Sequence, residues 1–195
     1  MESKRISTRR LTGVALFTAI IVALQFLGAF IRFGPFSISL VLIPIVVGAA
    51  LYGPLSGAWL GFVFGLVVLL SGDAAAFLGV NPLGTILTVL VKGALAGLCA
   101  GLVYRALEKL NGWLAVIVAA VAAPVVNTGV FLLGCLFFFL PTVSEWANAM
   151  GFPSVGNYMI FGLVGANFLF ELLFNIVLSP VIVRLIKIGR KMRQG

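Results

Sequence analysis

The sequence predicts an all-α integral membrane protein with six transmembrane helices in one bundle and both termini in the cytoplasm. Three observations carry this expectation. Of 195 residues, 62% are hydrophobic and only 9% are charged, which is more apolar surface than a soluble domain of this size can hide. The apolar residues fall into runs near the ~20 residues that a helix needs to cross a bilayer. Most basic residues sit where a six-pass chain would bring them to one side. No stretch is left for a separate soluble domain, so residues 1–195 read as one transmembrane unit.

The elements follow in order. Residues 1–10 (MESKRISTRR) are basic and lead into an apolar run over 11–31. That run is long for a secretory leader and lacks a small-residue cleavage site, so it reads as a retained first span. Phe33-Gly34-Pro35 closes it. Tyr52-Gly53-Pro54 then divides a second span, 36–51, from a third, 55–71. Both are roughly 16 residues long, short for a crossing. A re-entrant hairpin is the alternative, but its tip would have to be buried in protein. Asn81-Pro82 opens the fourth span, 83–105. Lys109 to Gly112 separates it from the fifth, 113–140, and Pro141 to Asn157 separates that from the sixth, 159–183.

On this path Lys4, Arg5, Arg9, Arg10, Arg105, Lys109, Arg184, Lys187, Arg190, Lys191 and Arg193 share one side. Arg32 lies on the other, and Lys92 lies within a span. The +8 net charge is therefore an orientation signal that places the basic side inside. It is a poor nucleic-acid footprint, because these residues hug helix ends with no stacking aromatics between them. Histidine is absent, which removes Ser-His chemistry and His-ligated metals. Cys99 and Cys135 sit in apolar runs as small packing residues rather than a disulfide or metal pair. No catalytic or metal-ligating set emerges, and no G-x-x-x-x-G-K-[ST] phosphate loop is present.

Small residues recur every four positions in three places: Gly53, Gly57, Gly61 and Gly65; Gly93, Gly97 and Gly101; and Ala15, Ala19 and Ala23. Residues four apart share a helix face, and a small-residue stripe lets helix backbones approach in lipid. The two glycine ridges read as internal packing. The alanine ridge fits either internal packing or docking of another membrane protein.

The polar residues inside spans are fewer. Lys92, Asn127 and Glu171 fall at nearly the same depth on the last three spans, and Asn167, Glu171 and Asn175 form one stripe on the sixth. A charge at the bilayer centre costs at least several kcal/mol when unaccompanied, so these groups should face one another or a polar cavity. Pro124 frees a backbone carbonyl near Asn127, and Pro-interrupted spans often mark a transport site. Two readings stay open. Lys92 and Glu171 form a structural ion pair, or they line a pocket with Asn127 and Asn167 while Glu171 and Asn175 brace the helix. The outer connections add Asp73, Asn81, Trp146 and Tyr158 as rim candidates.

Taken together, the segment ISLVLIPIVVGAALYGPLSGAWLGFVFG (38–65), the Ala15–Ala19–Ala23 ridge and VVNTGVFLLG (125–134) resemble the substrate-binding S components of energy-coupling factor (ECF) transporters, across essentially the whole chain. The resemblance implies a non-catalytic subunit in the plasma membrane of a prokaryote that captures a water-soluble vitamin or precursor from outside. It implies a pocket built from the last three helices and the outer loops, and no cofactor on this chain. It implies a transmembrane coupling subunit that docks on Ala15, Ala19 and Ala23, and two cytoplasmic ATPase subunits that handle ATP. The outer-loop aromatics, Phe77, Trp146, Phe152 and Tyr158, are few for a flavin. Lys92 suits a carboxylate, so a small acid is expected, with pantothenate first and biotin or nicotinate behind it. A stand-alone carrier or channel needing no ATPase is the alternative.

Overall fold

In the computed structural model, residues 8–29, 32–33, 36–37 and 40–194 are described. Lys4, Arg5, the last two residues of the expected first span and the Gly34-Pro35 turn lie outside them. The described chain is helical apart from one antiparallel ribbon of two-residue strands, β1 (Arg32–Phe33) and β2 (Phe36–Ser37).

Four helical stretches are long and apolar enough to cross a membrane: α1 (Thr8–Ala29), α5 (Pro82–Leu107), α6 (Gly112–Phe138), and the run Val155–Val177. The chain is therefore a multi-pass membrane protein. Between α1 and α5 lie the shorter α2 (Leu42–Tyr52) and α3 (Pro54–Leu70). The expected second span, 36–51, is thus corrected. Its first residues form the ribbon, and the 11-residue helix that remains rises only ~16 Å, about half of a ~30 Å hydrocarbon core. The helix compensates by position, since eight of its residues are buried in the bundle. Gly53 turns the chain from α2 into α3 at φ +95°, a conformation that glycine alone adopts without strain.

The glycine ridges meet. Gly57 and Gly61 on α3 face Gly97 and Gly93 on α5, and a Cβ on any of the four would overlap the opposite glycine's backbone carbonyl. Gly101 rests on Pro54 and Gly65 on Val89 in the same way. This seam carries the internal packing expected of both ridges.

Connections expected as loops are partly helical: α4 (Ala75–Leu78), α7 (Leu140–Ala149) and α8 (Val155–Asn157). A wide π-helical turn, Tyr158–Val164, leads into α9 (Gly165–Val177). The expected sixth span, 159–183, is corrected at its end. The chain breaks at Leu178, and residues 179–183 open α10 (Ser179–Gln194). Pro180, without an N–H, cannot continue the α9 ladder. Helix α10 is amphipathic: Ile182, Val183 and Ile186 are buried, while Arg184, Lys187, Arg190 and Lys191 are exposed.

Side-chain contacts define the two ends of the bundle. At one, Arg10 Nη2 donates to Ser56 Oγ at 3.0 Å, Arg190 pairs with Glu108, and the Arg190 guanidinium lies 5.5 Å from the Tyr104 ring. At the other, Gln25 Nε2 donates to Asp73 Oδ2 at 2.6 Å, tying α1 to the 71–74 turn. The basic residues gather at the first end.

Candidate functional site

A cavity of about 110 Å³ opens in the half of the bundle that carries the Gln25–Asp73 contact. Its walls are built from one face each of several helices. Helix α5 contributes Thr85, Thr88 and Lys92, spaced to share a face; α6 contributes Asn127, Thr128 and Phe131; α9 contributes Asn167 and Glu171. Gln25, Phe64, Asp73, Phe77 and Phe139 complete the lining.

Lys92 occupies an aromatic bracket. Its Nζ lies 5.7 Å from the Phe64 ring centroid and 5.5 Å from that of Phe131. Ring faces attract a cation, the more so where water is excluded. The fields of Glu171 and Asp73 both reach the ammonium. Yet among the described residues Lys92 and Glu171 do not come within the 4.0 Å of an ion pair. The two groups therefore share a cavity without forming a direct pair.

On α9, Asn167 Nδ2 donates to Glu171 Oε1 at 3.3 Å. One turn on, Asn175 Nδ2 donates to the Glu171 carbonyl at 2.7 Å, and Ser179 Oγ donates to the Asn175 carbonyl at 2.9 Å. Asn175 does not line the cavity. It braces the helix, whereas Glu171 faces inward. Asp73 accepts from Gln25 and, at 3.3 Å, from Ser71 Oγ.

Of the eight expected site residues, the cavity thus brings together Lys92, Asn127, Asn167, Glu171 and Asp73. The other three lie elsewhere. The Asn81 side chain caps α5, its Oδ1 accepting from Gly84 N at 3.0 Å. Trp146 packs edge-on to Phe77 with ring centroids 5.4 Å apart, and Phe77 also meets Phe131 and Phe139 at 5.5 and 5.0 Å. Trp146 is thus the outer layer of an aromatic cluster whose inner members line the cavity. Tyr158 is buried against Phe152, 5.3 Å away.

Sequence reasoning missed Gln25, Thr85, Thr88, Thr128 and the phenylalanines other than Phe77, which it counted among the outer aromatics. Gln25 had a signal, as a lone amide in an apolar span. So did Thr85 and Thr88, three and four residues apart on the face that ends at Lys92. Phe64, Phe131 and Phe139 had none, because seventeen phenylalanines are spread through the chain.

A bundle of membrane helices surrounds a small cavity of mixed polar and apolar lining, with a basic group set between aromatic rings. The comparison with known families agrees: residues 9–184 match the model for the ECF transporter, substrate-specific component, and the chain belongs to that family. The family is one of transport subunits rather than catalysts. The chain is also 26% identical over 187 residues, 87% of its own length and 89% of the relative's, to the pantothenic acid transporter PanT of Lactococcus lactis subsp. cremoris (strain MG1363). No solved structure matches it.

Proposed function

We propose that this chain is the substrate-binding subunit of an ATP-driven importer, and that its cargo is pantothenate or a close carboxylate-bearing vitamin. The observation that carries the reading is Lys92: an ammonium held between two aromatic rings on a cavity wall, without a carboxylate at ion-pair distance among the described residues. A carboxylate arriving there forms a charge-assisted contact in a site of low dielectric. The similarity to a pantothenic acid transporter points the same way.

The orientation follows from charge. The end bearing Arg10, Arg190 and the α10 basic face lies in the cytoplasm, so the cavity takes its ligand from outside. The chain crosses six times, with α2 and α3 as the short pair. Ala15, Ala19 and Ala23 are all exposed on α1, which supports their use as the face for the coupling subunit. Two ATPase subunits on the cytoplasmic side supply the energy.

The test has two parts. The purified chain should release a water-soluble vitamin, one per chain, in native mass spectrometry, or bind added pantothenate. Cells carrying the chain with the coupling and ATPase subunits should take up pantothenate, and those lacking the partners should not. Uptake without partners would instead favour a stand-alone carrier. Ala19→Leu should leave binding intact and abolish partner-dependent uptake; uptake at the parental rate would remove the alanine face from the docking surface.

A further inference from the structure

The cavity that holds Lys92 also holds acceptors that accept nothing from the described residues. Thr88 Oγ1, Asn127 Oδ1 and Glu171 Oε2 are buried with no hydrogen-bond partner among the described residues, and all three residues line the cavity. Asn127 is 6% exposed and Glu171 is 3% exposed. Buried polar atoms are nearly always paired, and an exception calls for a reason. A fourth such atom, Asn175 Oδ1, belongs to the helix brace outside the cavity, whereas these three converge on the cavity from α5, α6 and α9 and share a reason.

An acid as ligand makes the arrangement stranger. Glu171 would repel a carboxylate placed beside it. A cavity serving Lys92 alone would be better lined by apolar groups. The oxygens make sense if the ligand's other end brings hydrogens to them.

We propose that the ligand this cavity selects has two chemically distinct ends: an acid for Lys92, and an end carrying two or more hydroxyl or amide N–H donors for Glu171 and Asn127. The inference rests on the reading of this cavity as the ligand site. Glu171 keeps Oε1 on Asn167 and offers Oε2 to a ligand hydroxyl, a charge-assisted bond. Asn127 Oδ1 and Thr88 Oγ1 accept the remaining donors. The wall also discriminates. A dicarboxylic acid meets like charge at Glu171, and a donor-free acid leaves all three oxygens unpaired. Pantothenate, with two hydroxyls and an amide N–H, meets the requirement. Biotin meets it through its ureido N–H groups. Nicotinate does not.

The experiment is calorimetric binding to the purified full chain with three ligands: pantothenate, its analogue with both hydroxyls replaced by hydrogen, and panthenol, in which an alcohol replaces the acid. The dideoxy analogue should bind at least about a hundredfold more weakly than pantothenate. Glu171→Gln should shrink that gap by about tenfold while leaving the thermal midpoint of the detergent-solubilised protein within a few degrees. Equal affinity for pantothenate and its dideoxy analogue would overturn the inference and leave the role of Lys92 standing. Panthenol binding as tightly as pantothenate, with the dideoxy analogue weak, would support the donor end and remove the acid reading. If pantothenate does not bind, biotin and nicotinate decide: preference for biotin supports the inference, and tight binding of nicotinate overturns it.

Discussion

Helix α5 has two faces that solve opposite problems. One carries Gly93, Gly97 and Gly101 against α3, where backbone meets backbone with no room for a side chain. The other, turned by about 100° per residue, carries Thr85, Thr88 and Lys92 into the cavity. Lys92 and Gly93 are neighbours in sequence and belong to different faces. On the glycine face two helices fill each other's surface. On the lysine face, among the described residues, it leaves a cation without a carboxylate at ion-pair distance and the Thr88 hydroxyl without a partner, facing the unpaired oxygens of Asn127 and Glu171 across the cavity. Close backbone packing on one face of α5 and unpaired polar groups around the cavity on the other divide the helix between assembly and a candidate site.

The sharpest way to break this comparison is at the seam. Gly61→Leu places a side chain where the Gly93 carbonyl lies, so the helices must part, at a cost above ~3 kcal/mol. The protein should fail to run as a monodisperse peak and should lose its thermal transition in detergent. A folded variant would show that the seam is softer than its geometry. The lysine face should respond in the reverse sense. Lys92→Met should weaken binding of an acid by a hundredfold or more while the transition stays in place, because no ion pair with Glu171 is lost. A Lys92→Met/Glu171→Gln cycle sharpens this, since coupling in stability beyond about 1 kcal/mol would mean the two charges act as a structural pair after all.

Smaller effects probe the cavity rim and the basic end. Gln25→Leu removes the α1 bond to Asp73, and stability should fall by about 1–2 kcal/mol. Stopped-flow release of ligand should also quicken, and an unchanged release rate would confine Gln25 to a structural role. At the far end, Arg190→Gln removes a partly exposed pair with Glu108, for which less than ~1 kcal/mol is expected. A larger loss in denaturant titration would mean that α10 is held to α5 mainly by charge.

Much of this contrast was legible in the chain. Glycine at every fourth position announces a close helix contact whatever its partner, and the two ridges proved to be each other's partners. Lys92, Asn127, Asn167 and Glu171 were legible because a polar group in an apolar run has few places to go. The rim was less so. Asn81, Trp146 and Tyr158 carry ligand-like chemistry, but the fold uses them as a helix cap and as aromatic packing, and such uses depend on neighbours distant in sequence. The shortness of α2 was hidden because residues 36–41 are as apolar as a helix needs. Phe36 and Ser37 instead pair with Phe33 and Arg32 in the ribbon. The break at Leu178 was foreshadowed by Pro180, yet the apolar run continues past it to Val183 and masks the turn.

The α3–α5 seam has one more consequence, which concerns order rather than contact. In lipid, helices form before they associate, so the backbone freedom that glycine gives up belongs to helix formation and not to their meeting. Gly57, Gly61, Gly93 and Gly97 have no rotamers to lose when the two helices close. Their association is thus free of the side-chain entropy that opposes a seam of leucines. Dispersion contacts between bare backbones, each small, stand almost unopposed in holding it shut.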